Sequence, residues 1–472
     1  MSIIKPFTSM NIETVPVTVE GFTLEEPTIG SMKKILDASK TLQRRLVDAG
    51  YTRRLKILVA LGELWVMKNS SGTWDEVKET LANSTGYSRS MIDEEFNLVA
   101  QVFNYENLSS TLINSLTGGV DSLDRFSNLG NGEGIRSMPI GPIMIISSGN
   151  SLIPPLIPTV IGLLTGNFVV LKPSLTNVLG LNLIFSLLNE IEDSKVLRDC
   201  LLVAYLSHTS EVYDYLLRET PLGVVNFWGA QPAIEIIGTK VGENPHHPRY
   251  LVNGPLTGFT IIKEKQADDE TASGLAFNMI LYDQQLCNSP TQGAFIGSSE
   301  ACMVFMEKVA AHLDRLGETH SIAVSEALTY MLQGVRRILI GKGSKVFSGK
   351  HPDNPWTLVV SNGYSRLGEA VEVFPQFNLY NRRRFIEIVR VDRLKDSLQL
   401  IRDLPENKAW SGVERVQTVG VVELDENEYK MLAETGVYRI VPLRDMYLRS
   451  PCEPYDGVSL ADAFTYRVYR RK

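Results

Sequence analysis

Cysteine is scarce in this chain, four among 472 residues: Cys200, Cys287, Cys302 and Cys452. Four thiols so scattered make neither a disulfide framework nor a zinc site, and a reducing cytoplasm is the expected setting. Long apolar runs are also missing. The longest, Leu152 to Leu164, is broken by Pro154, Pro155 and Pro158. It falls short of the roughly 20 residues a spanning helix needs, so no membrane span is expected. Met1 to Met10 contains no apolar stretch of the kind a secretory signal carries. There is no excess of basic charge: 47 Lys and Arg against 54 Asp and Glu leave a net charge of −7. That balance argues against a nucleic-acid partner. His246-His247-Pro248 is the one histidine pair, and no third ligand stands at metal spacing from it, so a surface loop is expected and no metal site.

The remainder is ordinary for a globular protein, with 44% hydrophobic and 21% charged residues. At roughly 100–200 residues per domain, the length allows two to four domains. Apolar residues at helical spacing predict helices over Ser31 to Val47, Arg53 to Met67 and Ser88 to Phe103. Asn128 to Ser137, rich in Gly, Ser and Asn, is expected to be a flexible loop. Its Gly130-Asn131-Gly132-Glu133-Gly134 cluster lacks the strand–turn–helix setting of a dinucleotide fingerprint. From Ile140 the pattern alternates. β-rich runs at Ile143 to Ser148, Phe168 to Leu171, Leu201 to Leu206 and Val224 to Phe227 are separated by helical stretches at Pro155 to Leu164, Leu179 to Ile191 and Ser210 to Glu219. This order predicts a parallel sheet covered on both faces. A second α/β stretch begins near Gly258 and runs to about Leu424, and the basic tail from Arg467 to Lys472 is expected to be a solvated end.

Four pieces of sequence carry chemistry. In Asp283-Gln284-Gln285-Leu286-Cys287-Asn288-Ser289-Pro290, a cysteine follows a predicted helix, Thr271 to Leu281, beside two amides and a helix-breaking proline. A cysteine nucleophile reacts as the thiolate, so its setting decides whether it is catalytic or simply packed. Phe168-Val169-Val170-Leu171-Lys172-Pro173-Ser174 is a buried strand ending in a cation and a hydroxyl, at the strand end where open α/β sheets bind ligands. Leu222 to Pro232 reads as strand, Gly229-Ala230 turn and proline-opened helix, a setting that offers backbone N–H groups to an anion. Ile145-Ile146-Ser147-Ser148-Gly149-Asn150 puts an amide just past another strand, suited either to an oxyanion or to a turn.

Together, in this order, these pieces resemble the aldehyde dehydrogenase superfamily. Gly149-Asn150-Ser151-Leu152 stands for its Trp-Asn-Phe-Pro, and Thr165 to Ser174 for its Ala-Gly-Asn-x-Val-Val-x-Lys-Pro-Ser. Phe227-Trp228-Gly229-Ala230 stands for Phe-Thr-Gly-Ser, and Gln284-Gln285-Leu286-Cys287 for Gly-Gln-x-Cys. Within the superfamily the chain is similar to the LuxC-type fatty acid, or acyl-CoA, reductases. That likeness rests on Gln-x-Cys-x-Ser-Pro around Cys287, Val416-Gln417-Thr418-Val419-Gly420, and Gly436 to Leu443 with Tyr455-Asp456-Gly457.

The resemblance implies an α/β fold of aldehyde dehydrogenase type. A Rossmann-type dinucleotide-binding domain with N-terminal helices would occupy 1–254, a catalytic cysteine domain 255–424, and a segment returning to the cofactor domain 425–472. A small β extension would serve a homo-oligomer. Cys287 and Asn150 become the catalytic residues, Asn150 with the Cys287 N–H as oxyanion donors. Ser147, Ser148, Lys172, Ser174, Gly229 and Ala230 become the cofactor contacts. The implied substrate is an acyl-CoA or other activated fatty acyl group, with an acyl-protein synthetase or transferase as a possible partner.

The departures refine this. The Glu-Leu-Gly-Gly of hydrolytic members, whose glutamate activates water, corresponds to Leu251-Val252-Asn253-Gly254, with Val252 at the base position. The ribose-chelating glutamate after Lys-Pro-Ser is Leu175, which favours NADPH while leaving NADH possible. Asn381-Arg382-Arg383-Arg384-Phe385 lies where Glu-x-Phe-Gly-Pro is usual. The implied activity is reduction of an acyl group through a Cys287 thioester. A CoA-acylating aldehyde dehydrogenase running in the opposite direction and an inactive scaffold subunit remain the alternatives.

Overall fold

Strands with continuous apolar runs can be buried only by covering both faces of a sheet, and two such sheets organise the chain. A computed structural model describes residues 3–113, 115–379, 382–449 and 453–471. The chain divides into two units: Met1–Ser84, Asp93–Asn253 and Ser450–Lys472 form the first, Thr85–Ile92 and Gly254–Arg449 the second.

In the first unit β1 (Thr14–Val19) and β2 (Phe22–Pro27) form an antiparallel hairpin. The expected N-terminal helices are present as Ile29–Asp48, Tyr51–Ser70 and Arg89–Val102. Thr28 caps the first of them through the Ser31 N–H. On the second, Trp65 is fully buried, stacks on Trp74, and donates its indole N–H to the Phe96 carbonyl at 2.9 Å.

The region expected to be a flexible loop is instead a hairpin, β3 (Ser127–Gly130) with β4 (Glu133–Pro139). Its tight turn is Asn131-Gly132, both left-handed at φ 52° and 75°. Asn-Gly is the pair that makes such a turn inexpensive, so the composition that suggested a loop marks a hairpin.

The parallel sheet follows: β5 (Ile143–Ile146), β6 (Val169–Lys172), β7 (Leu201–Val203), β8 (Val224–Trp228) and β9 (Arg249–Asn253), in spatial order β7-β6-β5-β8-β9. All four pairings are parallel. β5, β6 and β8 are buried along their length except at Lys172, as a sheet covered on both faces requires. Helix Ile153–Leu164 covers it, with proline in the first turn where no amide bond is lost. The predicted helix over 179–191 is shorter, Val178–Ser186, and continues as a 3₁₀ turn. The order reverses between β5 and β8, so a ligand crevice is expected at their C-terminal ends.

The second unit holds a seven-stranded sheet. Its strands are β10 (Leu256–Lys263), β11 (Pro290–Ile296), β12 (Lys345–Ser348), β13 (Thr357–Asn362), β14 (Phe385–Val391), β15 (Arg415–Val421) and β16 (Arg439–Pro442), in order β12-β13-β14-β11-β10-β15-β16. Only β12 runs antiparallel to its neighbour. Period-2 alternation splits the core between its faces: Phe259 and Ile261 join one apolar cluster, Ile262 and Phe295 the other. The chain ends in β17 (Thr465–Arg471), which pairs antiparallel with β4. The tail expected to be a solvated end is therefore a paired strand, although its residues after Thr465 remain exposed. Among the described residues, no helix is long and apolar enough to cross a membrane.

β10 carries two irregularities. Its register with β15 steps from Thr257–Val416 to Gly258–Thr418, and with β11 from Gly258–Pro290 to Phe259–Gln292. Gln417 and Thr291 are thus the extra residues, bulged out of the ladder on either side. Gly258 permits this, since a Cβ there would stand 2.4 Å from the Asn288 carbonyl oxygen. Gly258→Ala is expected to cost about 1–3 kcal/mol through that backbone clash, read as a lower denaturant midpoint with an unchanged slope.

Candidate active site

In the first unit the structure brings the expected cofactor residues to one edge of the parallel sheet. Ser147 and Ser148 follow β5, Lys172 ends β6, and Gly229-Ala230 follow β8, so they flank the reversal point. The Ser147 hydroxyl accepts from the Ser174 N–H at 3.2 Å, tying the ends of β5 and β6 together. Ser174 and Thr176 exchange a hydroxyl contact at 3.0 Å, and Thr176 donates to the Gly149 carbonyl at 2.7 Å. Asn177 donates to the Ser148 and Ser151 carbonyls at 2.8 and 2.7 Å. Asn150 sits half-buried in this braced turn. Its Oδ1 accepts from the Ser148 hydroxyl at 2.8 Å, which orients the carboxamide with Nδ2 as its donor end.

Lys172 lies with its ammonium 5.6 Å from the ring centre of Tyr205 and 5.5 Å from that of Tyr213. Burial pushes its pKa down to about 8, against the opposing charge of Glu26. Glu26 comes from β2 and is itself buried, and burial raises its carboxyl in spite of the Ser210 hydroxyl, the Ser207 backbone and Lys172 nearby. Sequence reasoning missed this carboxylate, because nothing in the order of the chain places β2 beside the end of β6. Leu175 packs with Leu24, Val178 and Tyr205, so the residue after Lys172-Pro173-Ser174 is held in apolar packing against the N-terminal hairpin.

The turn after β8 is built by a chain of amides. The Trp228 indole donates to Asn226 at 2.7 Å, Asn226 to Asn253 at 2.8 Å, and Asn253 to Asp456 at 2.9 Å. Gly229 is required beside the Phe227 ring, which would lie 2.5 Å from an added Cβ. Pro232 caps the helix Ala233–Gly242 rather than standing inside its first turn. Val252 is a half-buried residue of β9 opposite Phe227, with no proton to accept or give.

In the second unit Cys287 stands on the connection between helix Asp269–Ile280 and β11. Tyr282, Asp283 and Gln284, three to five residues before it, are all left-handed, with φ of 50°, 48° and 64°. Each such non-glycine residue is unfavourable by roughly 1–2 kcal/mol, so surrounding contacts must hold them. Buried Asp283 accepts from Arg384 Nη2 at 2.8 Å and Nε at 3.0 Å, and Arg384 Nη1 donates to Asn354 at 2.6 Å. Gln284 accepts from the Phe385 N–H and donates to the Pro290 carbonyl, both at 2.6 Å. Gln285, the glutamine of the family motif, donates to the Arg382 carbonyl at 2.9 Å, and Asn288 to the Met446 carbonyl at 2.8 Å.

Cys287 is half-buried, and its sulfur accepts from the Gln417 carboxamide Nε2 at 3.2 Å. Gln417 belongs to the Val416–Gly420 motif, but its role is not legible there. The arginines of the 382–384 run are also more than surface charge. Arg382 is buried between the Phe377 and Trp410 rings, and Arg384 anchors the thiol loop. Asn381, from the same run, lies outside the described residues, as does Cys452.

Cys302 and Cys200 are fully buried, and burial pushes the Cys302 thiol up to about 12 and that of Cys200 higher still. His246, His247 and His208 are exposed, and no group of His, Cys, Asp and Glu among the described residues could hold a metal ion.

The family model for acyl-CoA reductase (LuxC) matches residues 51–467. The chain belongs to the LuxC family. Every site residue named above, except Leu24 and Glu26, lies within the matched span. Among its relatives, the chain is 25% identical over 322 residues to the long-chain acyl-protein thioester reductase of Vibrio harveyi, covering 67% of this chain and 65% of that protein. With its counterpart from Aliivibrio fischeri the figures are 22% over 413 residues, 85% and 79%. In fold, this LuxC-family chain is similar to aldehyde dehydrogenase 21 from Physcomitrella patens, with a TM-score of 0.74 at 14% identity, covering 100% of this chain and 99% of that one. Lactaldehyde dehydrogenase from Escherichia coli gives a TM-score of 0.69 at 14% identity over 100% of both chains. The fold is thus of aldehyde dehydrogenase type, as expected.

The Asp283–Arg384 pair gives a test of how the thiol loop is held. Arg384→Met, which leaves a buried carboxylate uncompensated, is expected to destabilise by about 3–5 kcal/mol. The double variant Arg384→Met, Asp283→Asn should recover part of that loss, and denaturant titration of all three proteins provides the coupling energy.

Proposed function

We propose that this protein reduces an activated fatty acyl group to the aldehyde through a thioester on Cys287, with NADPH as the reductant and NADH as a lesser substitute. The observation that carries the reading is Cys287, half-buried on an over-determined loop with its sulfur hydrogen-bonded by Gln417. The family match across 51–467 and the names of the relatives support the acyl chemistry. In this reading the thiolate attacks the acyl carbonyl, a C–S bond forms, and the donor's leaving group departs with the electron pair. Asn150 and the Cys287 N–H are the oxyanion donors, and losing one such donor typically costs about a hundred- to a thousandfold in turnover.

The residues at the β5–β8 reversal suit a dinucleotide: a cation on Lys172, hydroxyls on Ser147, Ser148 and Ser174, and a Gly229-Ala230 turn ahead of helix Ala233–Gly242. When bound there, the cofactor supplies the hydride that takes the thioester to the thiohemiacetal level. Collapse of the thiohemiacetal breaks the C–S bond, releases aldehyde and returns the thiol. Val252 protects the intermediate, because no carboxylate at that position activates water against the thioester. With Leu175 after Lys-Pro-Ser, no carboxylate from that segment repels a 2′-phosphate. The activated acyl donor is an acyl-CoA or the acyl group of a synthetase or transferase partner.

The direct test is purified protein with NADPH and a series of fatty acyl-CoAs beside Cys287→Ser. Loss of nicotinamide absorbance matched by trapped aldehyde, and abolished in the variant, is the expected result. No turnover and no radiolabelled acyl group on Cys287 with any donor would reject the reading. A pH dependence follows from Lys172. Its cation is present below about pH 8 and lost above it, so KM for NADPH should climb as the solution passes that point. Lys172→Arg, whose charge persists, should flatten the climb, as steady-state kinetics from roughly pH 7 to roughly pH 9.5 would record.

A further inference from the structure

A cysteine nucleophile reacts as the thiolate, so a neighbouring group that favours the ionised form of Cys287 would activate it. The bulge in β15 supplies one. Gln417 is skipped by the β10–β15 ladder, since Thr257 pairs with Val416 and Gly258 with Thr418. A bulged residue is re-aimed out of the strand's regular alternation, and this one is fully buried with its Nε2 3.2 Å from the Cys287 sulfur. The direction of the amide is determined locally. The Thr418 hydroxyl donates to Gln417 Oε1 at 3.1 Å, so the NH₂ end faces the sulfur.

We infer that Gln417 is the hydrogen-bond donor that stabilises the Cys287 thiolate, by fixed donation rather than by proton transfer. The inference rests on Cys287 being the nucleophile. On ionisation the thiol proton leaves to solvent, and the carboxamide gives up no proton of its own. A donor to a charged acceptor is worth about twice one to a neutral acceptor, so the contact favours thiolate over thiol. Among the described residues, the charged and titratable groups near the loop include Asp283 with its partner Arg384, Arg383 and His320 facing Asp283, and Arg439 on β16. Arg439 donates at 2.7 Å to the Met446 carbonyl that Asn288 also uses, which adds a cation on the Asn288 side of the loop. Asp283 is matched by Arg384, so its charge opposes the thiolate less than a lone carboxylate would.

The test is the pH profile of iodoacetamide alkylation at Cys287 in the full-length protein, read by peptide-resolved mass spectrometry so that other cysteines do not contribute. Gln417→Leu removes the donor, and its alkylation midpoint should rise by about one pH unit, which is roughly tenfold slower labelling below the midpoint. Gln417→Glu keeps the shape and replaces the donor with an anion, and its midpoint should rise further. A midpoint unmoved or lowered in Gln417→Glu overturns the inference, and that variant decides the matter even if Gln417→Leu does not fold. Failure of the reductase reading looks different: the wild-type protein would form no acyl-Cys287 and consume no NADPH, while the alkylation profiles would still report on Gln417.

Discussion

The backbone of Tyr282-Asp283-Gln284 is the constraint on which the thiol site depends. Three left-handed residues in a row turn the chain sharply out of helix Asp269–Ile280 and aim it at β11. The local preferences of Tyr and Gln oppose that path, and Asp tolerates it only as a single residue. It persists because Arg384 satisfies Asp283, while Gln284 spans from the Phe385 amide to the Pro290 carbonyl. Those partners come from the start of β14 and the start of β11, so the loop is locked to neighbouring strands of the sheet. A sulfur held this way has little freedom to lose, which in the proposed reaction would leave binding energy for chemistry.

The same sheet supplies the sulfur's electrostatic setting. Gly258 lets the Asn288 and Ser289 carbonyls approach β10, the approach displaces the register on both sides, and the displaced residue on β15 is Gln417. The place of the thiol and its contact with Gln417 are therefore two consequences of one packing event. This suits a site in which water activation would be harmful. A fixed carboxamide donor can favour a thiolate but cannot deprotonate water, whereas a carboxylate could do both.

In the first unit the physical logic is topological. Reversal of strand order between β5 and β8 opens a crevice wherever such sheets occur. The side chains at that crevice are then adjusted by elements distant in sequence. The N-terminal hairpin buries Leu175 and brings Glu26 near Lys172, while the C-terminal Asp456 ends the amide chain that begins at Trp228. The N-terminal third, which carries no recognisable motif, thus shapes the electrostatics of the lysine.

Much of this is legible in the order of the residues alone. Periodicity places the helices Ile29–Asp48 and Tyr51–Ser70, the continuous apolar runs of β5, β6 and β8 announce a covered parallel sheet, and the motif around Cys287 marks the family. These are properties of residues close together in sequence, where side-chain pattern and backbone propensity act directly. The hairpin at Asn131-Gly132 escapes such a reading because a turn-rich composition serves tight turns and open loops alike. What only the tertiary structure decided is which distant groups meet: Arg384 with Asp283, Gln417 with the Cys287 sulfur, Glu26 with Lys172. Each partnership depends on strand order and register, and a one-residue bulge suffices to redirect a side chain. Sequence spacing holds no record of such shifts, because they arise from how closely two backbones can pack at Gly258.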